Sequence, residues 1–268
     1  MKKRPTRKYL PQGLDILYED KDILVVDKPA GMLTVATATN KTRTAYWFLM
    51  DYVRKGSLKS RNRIFIVHRL DQWTSGVLIF AKSEEVKLRL QAGWKDTVKK
   101  YAAIVHGQLA MKEGVITSYL AENAAYVVYS TNKAVVRPLA DYKSEARIPK
   151  SETNSNYQKT EFPKQTAQSQ RSPEGKIAHT AYKVLKENRR YSLLEINLLT
   201  GKKNQIRVHL ADEGHPIMGD RKYGDKNDGH KRLALHAKSI SFKHPVSGKQ
   251  MTFEAKVPGW FVKLAGKN

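Results

Sequence analysis

His68-Arg-Leu-Asp-Gln-Trp-Thr-Ser-Gly76, HRLDQWTSG, lies between two apolar runs, IFIV (64–67) and VLIFAKS (77–83). Both runs are rich in β-branched and aromatic residues and read as strands, which makes the quoted segment a strand-to-strand connection. Gly76 permits a backbone angle that other residues resist, and Thr74-Ser75-Gly76 has the composition of a turn. Loops held between rigid strands often carry function. This one sets a carboxylate, Asp71, beside His68 and Arg69. Taken alone, Arg69 and Asp71 read as a solvent-exposed ion pair that contributes little to stability.

The flanking sequence extends the pattern. GLDILYEDKDILVVDKPAGM (13–32) reads as a hairpin turning at EDKD. TAYWFLMDYVRK (44–55) bunches its apolar residues at helical spacing and ends at Gly56. Ser83 followed by Glu84 and Glu85 is a helix start, because the hydroxyl caps free amides and the acids suit the positive end of the dipole. KKYAAIVHG (99–107) is a further strand, and HTAYKVLKE and YSLLEINLLT pair around Asn188-Arg189-Arg190. In NQIRVHLADEGHP, Asn204 is placed to cap a helix that ends at Gly214 and Pro216, with Arg207 on its first turn. LALHAKSISF (233–242) and MTFEAKV (251–257) close the chain as strands.

Many strands with few helices define a mixed α+β fold, a largely antiparallel sheet core with peripheral helices. Residues 1–13 read as a basic tail and 14–268 as one domain. Within it, a segment at about 143–176 is too rich in Lys, Ser, Thr, Gln and Glu to bury much surface and reads as a mobile insertion. A peripheral hairpin anchored by Tyr157 and Phe162 is the other reading of that segment.

The composition narrows the function. Among 268 residues, 49 Lys and Arg face 25 Asp and Glu, a formal charge of +24. That imbalance calls for a polyanionic partner, nucleic acid first, because neutralising phosphates releases counterions. Cysteine is absent, so disulfides and thiolate metal sites are excluded. Neither a signal-peptide core nor a membrane-spanning run is visible, so a cytoplasmic protein that does not engage membrane is expected. The sequence holds no P-loop, no dinucleotide glycine fingerprint and no HExxH, and lone histidines such as His209 and His215 are more often packing residues than ligands. Neither a metal nor an organic cofactor is expected.

What remains is a set of short stretches: HRLDQWTSG, KKYAAIVHG, TGKKNQIRVHLADEGHPIMGDRKYG and RLALHA. Together they resemble the RluA-type pseudouridine synthase family, whose motifs have the forms HRLD-x-x-TSG, K-x-Y-x-A, TG-x-x-x-QIRVH, GD-x-x-YG and LALHA. The match runs in order from about Leu14 to Val257. The resemblance implies isomerisation of uridine in structured RNA, rRNA or tRNA, with Asp71 as the catalytic aspartate. It also implies Tyr101 as the tyrosine that stacks on the base and takes its proton late, and Arg207 as the arginine pairing with the aspartate. Arg69 would help hold the target nucleotide out of the RNA stack. His68, Lys99, Lys100, Lys202, Lys203 and Gln205 complete the expected RNA-binding set, and KSRNR (59–63) adds further phosphate contacts.

These roles are chemically coherent. The glycosidic bond must break, the uracil must turn, and a carbon-carbon bond must form to the same sugar, so one group has to stabilise or trap the intermediate. Asp71 could add to the ribose, add to the base, or take a sugar proton to give a glycal. An arginine beside it favours its ionised form. Extruding the base costs roughly a few kcal/mol, and stacking on Tyr101 recovers about 1–3 kcal/mol.

The chain departs from the family at Gln72-Trp73, where many relatives have Lys and an acid, and at Lys202-Lys203-Asn204, where most have Arg-Thr-His. Those changes bear on RNA contacts rather than on the reaction. Many relatives also carry a small N-terminal RNA-binding domain, which this chain is expected to lack. A monomer is the simplest expectation. The competing reading is a non-catalytic RNA chaperone or ribosome-assembly factor on the same fold. A metal-dependent nuclease using Asp27, Asp71 and Asp220 stands third.

Overall fold

Asp20 turns the first hairpin: its Oδ1 accepts the backbone N–H groups of Asp22 and Ile23, both at 2.8 Å. In the computed structural model, which describes residues 13–38, 41–142 and 175–266, this turn joins β1 (Asp15–Glu19) to β2 (Ile23–Lys28). Nearly all of the basic tail and of the polar insertion at 143–176 lies outside the described residues.

Strand β2 pairs antiparallel with β4 (Ser75–Ala81), and both are almost wholly buried. Their side chains alternate between two cores. Leu24, Val26, Leu78 and Phe80 face one side with Leu49 of helix α1 (Ala45–Arg54), while Ile23, Val25, Val77 and Ile79 face the other with Val86 and Leu90 of α2 (Glu84–Ala92). Burial on both faces explains why these strands read as continuous apolar runs. Ser83 caps α2 as its sequence implies, and Thr44 caps α1. Thr44 Oγ1 accepts Trp47 N–H at 3.1 Å and Ser83 Oγ accepts Val86 N–H at 3.2 Å.

One sheet organises the described residues. The remaining strands are β3 (Phe65–Ile66), β5 (Val98–His106), β6 (Glu113–Glu122), β7 (Val128–Ser130), β8 (Val135–Arg137), β9 (Lys176–Glu187), β10 (Tyr191–Leu198), β11 (Leu235–Lys243) and β12 (Gln250–Glu254). The order is β1-β2-β4-β11-β5-β10-β9-β6-β7, with β3 on β4, β8 on β6 and β12 on β11. Helix α3 (Gln205–Asp212) packs on the β6, β7 and β9 end, and α4 (Gly259–Ala265) packs behind β10.

All pairings are antiparallel except that of β4 with β11, where Ser75 lies opposite His236 and Gly76 opposite Ala237. This junction fixes the outlet of the HRLD loop. Gly76 has φ +112°, and a Cβ there would lie 2.2 Å from the Ala237 carbonyl oxygen. Gly76→Ala should therefore cost about 3 kcal/mol or more, combining backbone strain with overlap. A urea-unfolding midpoint equal to that of the unchanged protein would show that the junction yields easily.

Helix α3 turns His209 into the core, between Thr180 Oγ1 at 2.9 Å and Ser118 Oγ at 3.0 Å. Burial, with the nearby His179, pushes its pKa down to about 4. An unfolded histidine takes up its proton near pH 6.5. Between those values the unfolded chain binds more protons, so this contribution is complete above about pH 6.5 and falls as the pH drops, by up to about 1.4 kcal/mol per pH unit. Urea midpoints measured from about pH 7 down to pH 4.5 should fall more steeply for the protein than for His209→Gln. Identical slopes would contradict the burial of a neutral imidazole.

Candidate active site

Asp71 is positioned from both sides by the turn that follows β2. Thr34, buried, donates from Oγ1 to the Leu70 carbonyl at 2.8 Å and accepts Leu70 N–H at 3.2 Å. On the other side, Gly31 N–H donates to the Gln72 carbonyl at 2.8 Å. Lys28, fully buried, donates from Nζ to the carbonyls of Pro29, Met32 and Gln72 at 2.9, 2.7 and 3.2 Å. Burial pushes the Lys28 pKa down to about 7 while the charges of Asp71 and Asp27 pull it upward. Three carbonyls meet the three N–H groups of an ammonium, which favours the charged form.

Arg207 reaches the same point from α3. Its Nε and Nη2 each donate to Asp220 at 2.7 Å, a two-pronged pairing, and Nη1 donates to Asp71 Oδ2 at 3.1 Å. Asp220 is buried and saturated, since its Oδ1 also accepts the backbone N–H groups of Lys222 and Tyr223 at 3.0 Å. The guanidinium carbon lies 5.0 Å from the Tyr223 ring centroid. Burial opposes the charge on Arg207, but the hydrogen bonds and charges of Asp220 and Asp71 outweigh it and raise the pKa above the ordinary value. The guanidinium is thus a fixed cation whose direction is set by Asp220, with Nη1 turned to Asp71 and Asn204. Among the described residues, Asp71 Oδ1 has no hydrogen-bond partner and is free to meet a substrate.

Tyr101, on β5, lines the same cavity of about 830 Å³ as Asp71 and Arg207. Burial first, then the charge of Asp71, raises the pKa of its phenol, so it enters a reaction protonated. Arg69, exposed, stands at the cavity wall, and its guanidinium is not the one that pairs with Asp71.

The other expected RNA contacts divide. Lys202 lines the cavity. Lys203 does too, paired with Glu122 and 5.4 Å from the Tyr126 ring centroid. Lys99 lines it as well, mostly buried, with Nζ 5.4 Å from the Trp94 ring centroid. Three residues have other partners. Lys100 is adjacent to Tyr101 on β5, where successive side chains alternate faces, and pairs with Glu195 at 3.3 Å. Gln205, expected at the RNA, is buried with every polar position used: Oε1 accepts from Thr200 Oγ1 and Lys202 N–H, and Nε2 donates to the His179 carbonyl and Thr180 Oγ1. It builds the loop before α3, and it and His68 also line the cavity.

His68, likewise expected at the RNA, accepts Ile79 N–H on Nε2 at 3.1 Å and lies 4.7 Å from the Trp94 ring centroid. Burial and Lys99 lower its pKa to about 3, so the imidazole is neutral and ties the HRLD loop to β4. Asn204 also departs from expectation. It occupies the N-cap position in a left-handed conformation, φ 53°, without a side-chain cap bond. Its Nδ2 donates instead to Tyr223 Oη at 2.9 Å, and its Oδ1 accepts from Arg207 Nη1 at 3.3 Å.

Asp220, Thr34 and Lys28 are the site residues that the sequence reading did not single out for these parts. The nuclease triad of Asp27, Asp71 and Asp220 has no support in the geometry, because Asp220 and Asp71 share the Arg207 cation. Among the described residues, the carboxylate-imidazole cluster with metal-ligand spacing is Asp20, Asp22 and His244.

A carboxylate with one free oxygen, a fixed guanidinium and a phenol around one cavity define an enzyme that does acid-base or nucleophilic chemistry on a sizeable substrate. Residues 22–212 match the family model for RNA pseudouridylate synthase. The ribosomal large subunit pseudouridine synthase D of Zymomonas mobilis is 31% identical over 259 residues, covering 91% of this chain and 69% of that protein. The tRNA pseudouridine synthase C of Haemophilus ducreyi is 34% identical over 254 residues, covering 90% of each. The fold is shared with human RNA pseudouridylate synthase domain containing 4, with TM-score 0.65 and 23% identity over 92% of this chain and 90% of that one. The chain belongs to the RNA pseudouridylate synthase family.

Proposed function

We propose that this pseudouridine synthase isomerises uridines in structured rRNA or tRNA through Asp71, with Arg207 as its ionic partner and Tyr101 as the base platform. The observation that carries this reading is the single N–H that Arg207, locked by Asp220, presents to Asp71 Oδ2 inside a cavity also lined by Tyr101. The carboxylate is held without its second oxygen being consumed, which suits a group that must attack or deprotonate.

The residues divide the labour of the reaction. The uridine leaves the RNA stack at a cost of roughly a few kcal/mol, which the positive surface and stacking on Tyr101 offset. Asp71 acts as the C1′–N1 bond breaks and remains against the sugar while the uracil turns and C5 bonds to C1′. The C5 proton then passes to a base, the freed Asp71 carboxylate or solvent, and N1, which kept the electron pair of the broken bond, takes up a proton. Tyr101, protonated at the outset, can donate a hydrogen bond to the detached uracil and keep its ring in the cavity. No step calls for a metal, so a chelator should leave the rate unchanged.

RNA labelled with tritium at uracil C5, taken from cells lacking the gene, tests the reading. The protein should release tritium to water in step with pseudouridine formation. Silence with both rRNA and tRNA would overturn it.

A further inference from the structure

Trp73 is a large aromatic residue left 48% exposed in the catalytic loop, two residues after Asp71. The structure builds a seat for it. Gly31 has φ +90°, and a Cβ there would lie 3.4 Å from Cζ3 of the indole, so the ring rests directly on the turn that Lys28 and Gln72 tie together. Gln72 Nε2 donates to the Gly31 carbonyl at 3.1 Å and closes the seat from the other side.

The space in front of the indole is a groove. One part, about 500 Å³, is walled by Pro29, Ala30, Trp73, Arg221, Lys231 and Arg232. A second part, about 320 Å³, shares Trp73, Arg221 and Lys231 and ends at Arg207. Arg207 also lines the catalytic cavity, so one side chain walls both spaces. No carboxylate lines either part, and Arg221, Lys231 and Arg232 are exposed. Among the described residues, Arg221 and Lys231 make no ion pair. Arg221 and Lys231 beside an exposed ring, with Arg232 over the Trp260 ring at 5.6 Å and a wall shared with a site for a nucleotide, are the chemistry of single-stranded nucleic acid: stacking for the base and charge for the backbone.

We infer that this groove is a subsite for an unpaired nucleotide next to the target uridine, its base stacked on Trp73 and its phosphates met by Arg221, Lys231 and Arg232. The inference rests on the pseudouridine synthase reading for the identity of the neighbouring site. Selection would then reach one nucleotide beyond the uridine and favour sites with an unstacked neighbour.

Equilibrium binding of a labelled oligouridylate of about twelve nucleotides tests this without requiring turnover. Trp73→Leu should weaken binding about tenfold, while Trp73→Phe, which keeps a ring, stays within about twofold of the unchanged protein. Inorganic polyphosphate, which has charge and no bases, should bind Trp73→Leu and the unchanged protein alike. Arg221→Ser combined with Lys231→Ser should weaken both ligands and lower the salt slope for oligouridylate by about 1.4. Should Trp73→Leu prove unstable, Trp73→Gln, which also lacks a ring, supplies the same comparison and should show the same loss toward oligouridylate alone. Equal oligouridylate affinity in Trp73→Leu, or an equal loss toward polyphosphate, would overturn the subsite. Tritium release by the unchanged protein, run in parallel, reports on the proposed function alone, because binding decides the groove whether or not turnover occurs.

Discussion

Asp71→Asn should lower the single-turnover rate of pseudouridine formation by about 10³-fold or more while RNA affinity stays within a few-fold. The substitution is nearly isosteric. It removes the nucleophilic or basic oxygen that the reaction needs, and little else changes. Arg207 keeps its two-pronged pairing with Asp220 at 2.7 Å, so its direction persists. Thr34 and Lys28 bind backbone carbonyls of Leu70 and Gln72, not the side chain between them, so the loop persists as well. Against a formal charge of +24, one added unit barely alters the attraction for RNA. Tritium release and filter binding on the same preparation measure both quantities. A rate within tenfold of the unchanged protein would remove Asp71 from the chemistry, and a parallel loss of binding would make it an RNA contact.

Asp220→Ala is expected to have the largest effect on stability, about 3–5 kcal/mol, because it strands a buried guanidinium. Arg207 is only 14% exposed and Asp220 only 1%, so solvent cannot substitute for the missing carboxylate. The backbone N–H groups of Lys222 and Tyr223 lose their acceptor in the same step. Activity should fall too, by about 10²-fold, since an arginine no longer aimed by its fork cannot hold Asp71 in register. Asp220→Glu restores the charge at the wrong length and should recover stability before rate. Urea unfolding and single-turnover kinetics separate the two effects. A shift below 1 kcal/mol would mean that Arg207 behaves as an ordinary exposed ion-pair member.

Asp220 also shows what local sequence conceals. GDRKYG has the look of a turn, and it is one: Asp220 caps its own backbone as an Asp in a turn does. Its second function, gripping Arg207 from thirteen residues away, depends on how the loop folds back over α3 and has no local signal. The reverse holds for Gln205 and His68. As motif residues beside a catalytic group they are expected at the RNA; both line the cavity, but Gln205 spends its amide and His68 its Nε2 on groups that shape the loops, a use with no local signal.

Strand periodicity was informative where burial followed hydrophobicity. β2, β4 and β5 are continuous apolar runs and are legible as such. β6 is not, because Ser118 is fully buried against His209 while Tyr119 is 36% exposed, which inverts the expected alternation. β7 and β8 are three residues each, too short for any period to register. The parallel contact of β4 with β11 joins residues about 160 positions apart, and only the glycine requirement at 76 hints at it.

The competing reading, an RNA chaperone or assembly factor on this fold, differs from the present account at a single point: whether the carboxylate is needed. Pseudouridines mapped chemically across rRNA and tRNA, in cells lacking the gene and in the same cells supplied with the protein or with Asp71→Asn, decide it. The account predicts that a defined set of uridines is unmodified in the deletion, restored by the protein and left unmodified by Asp71→Asn. Restoration of those uridines by Asp71→Asn, or a map that the deletion does not alter, would contradict it.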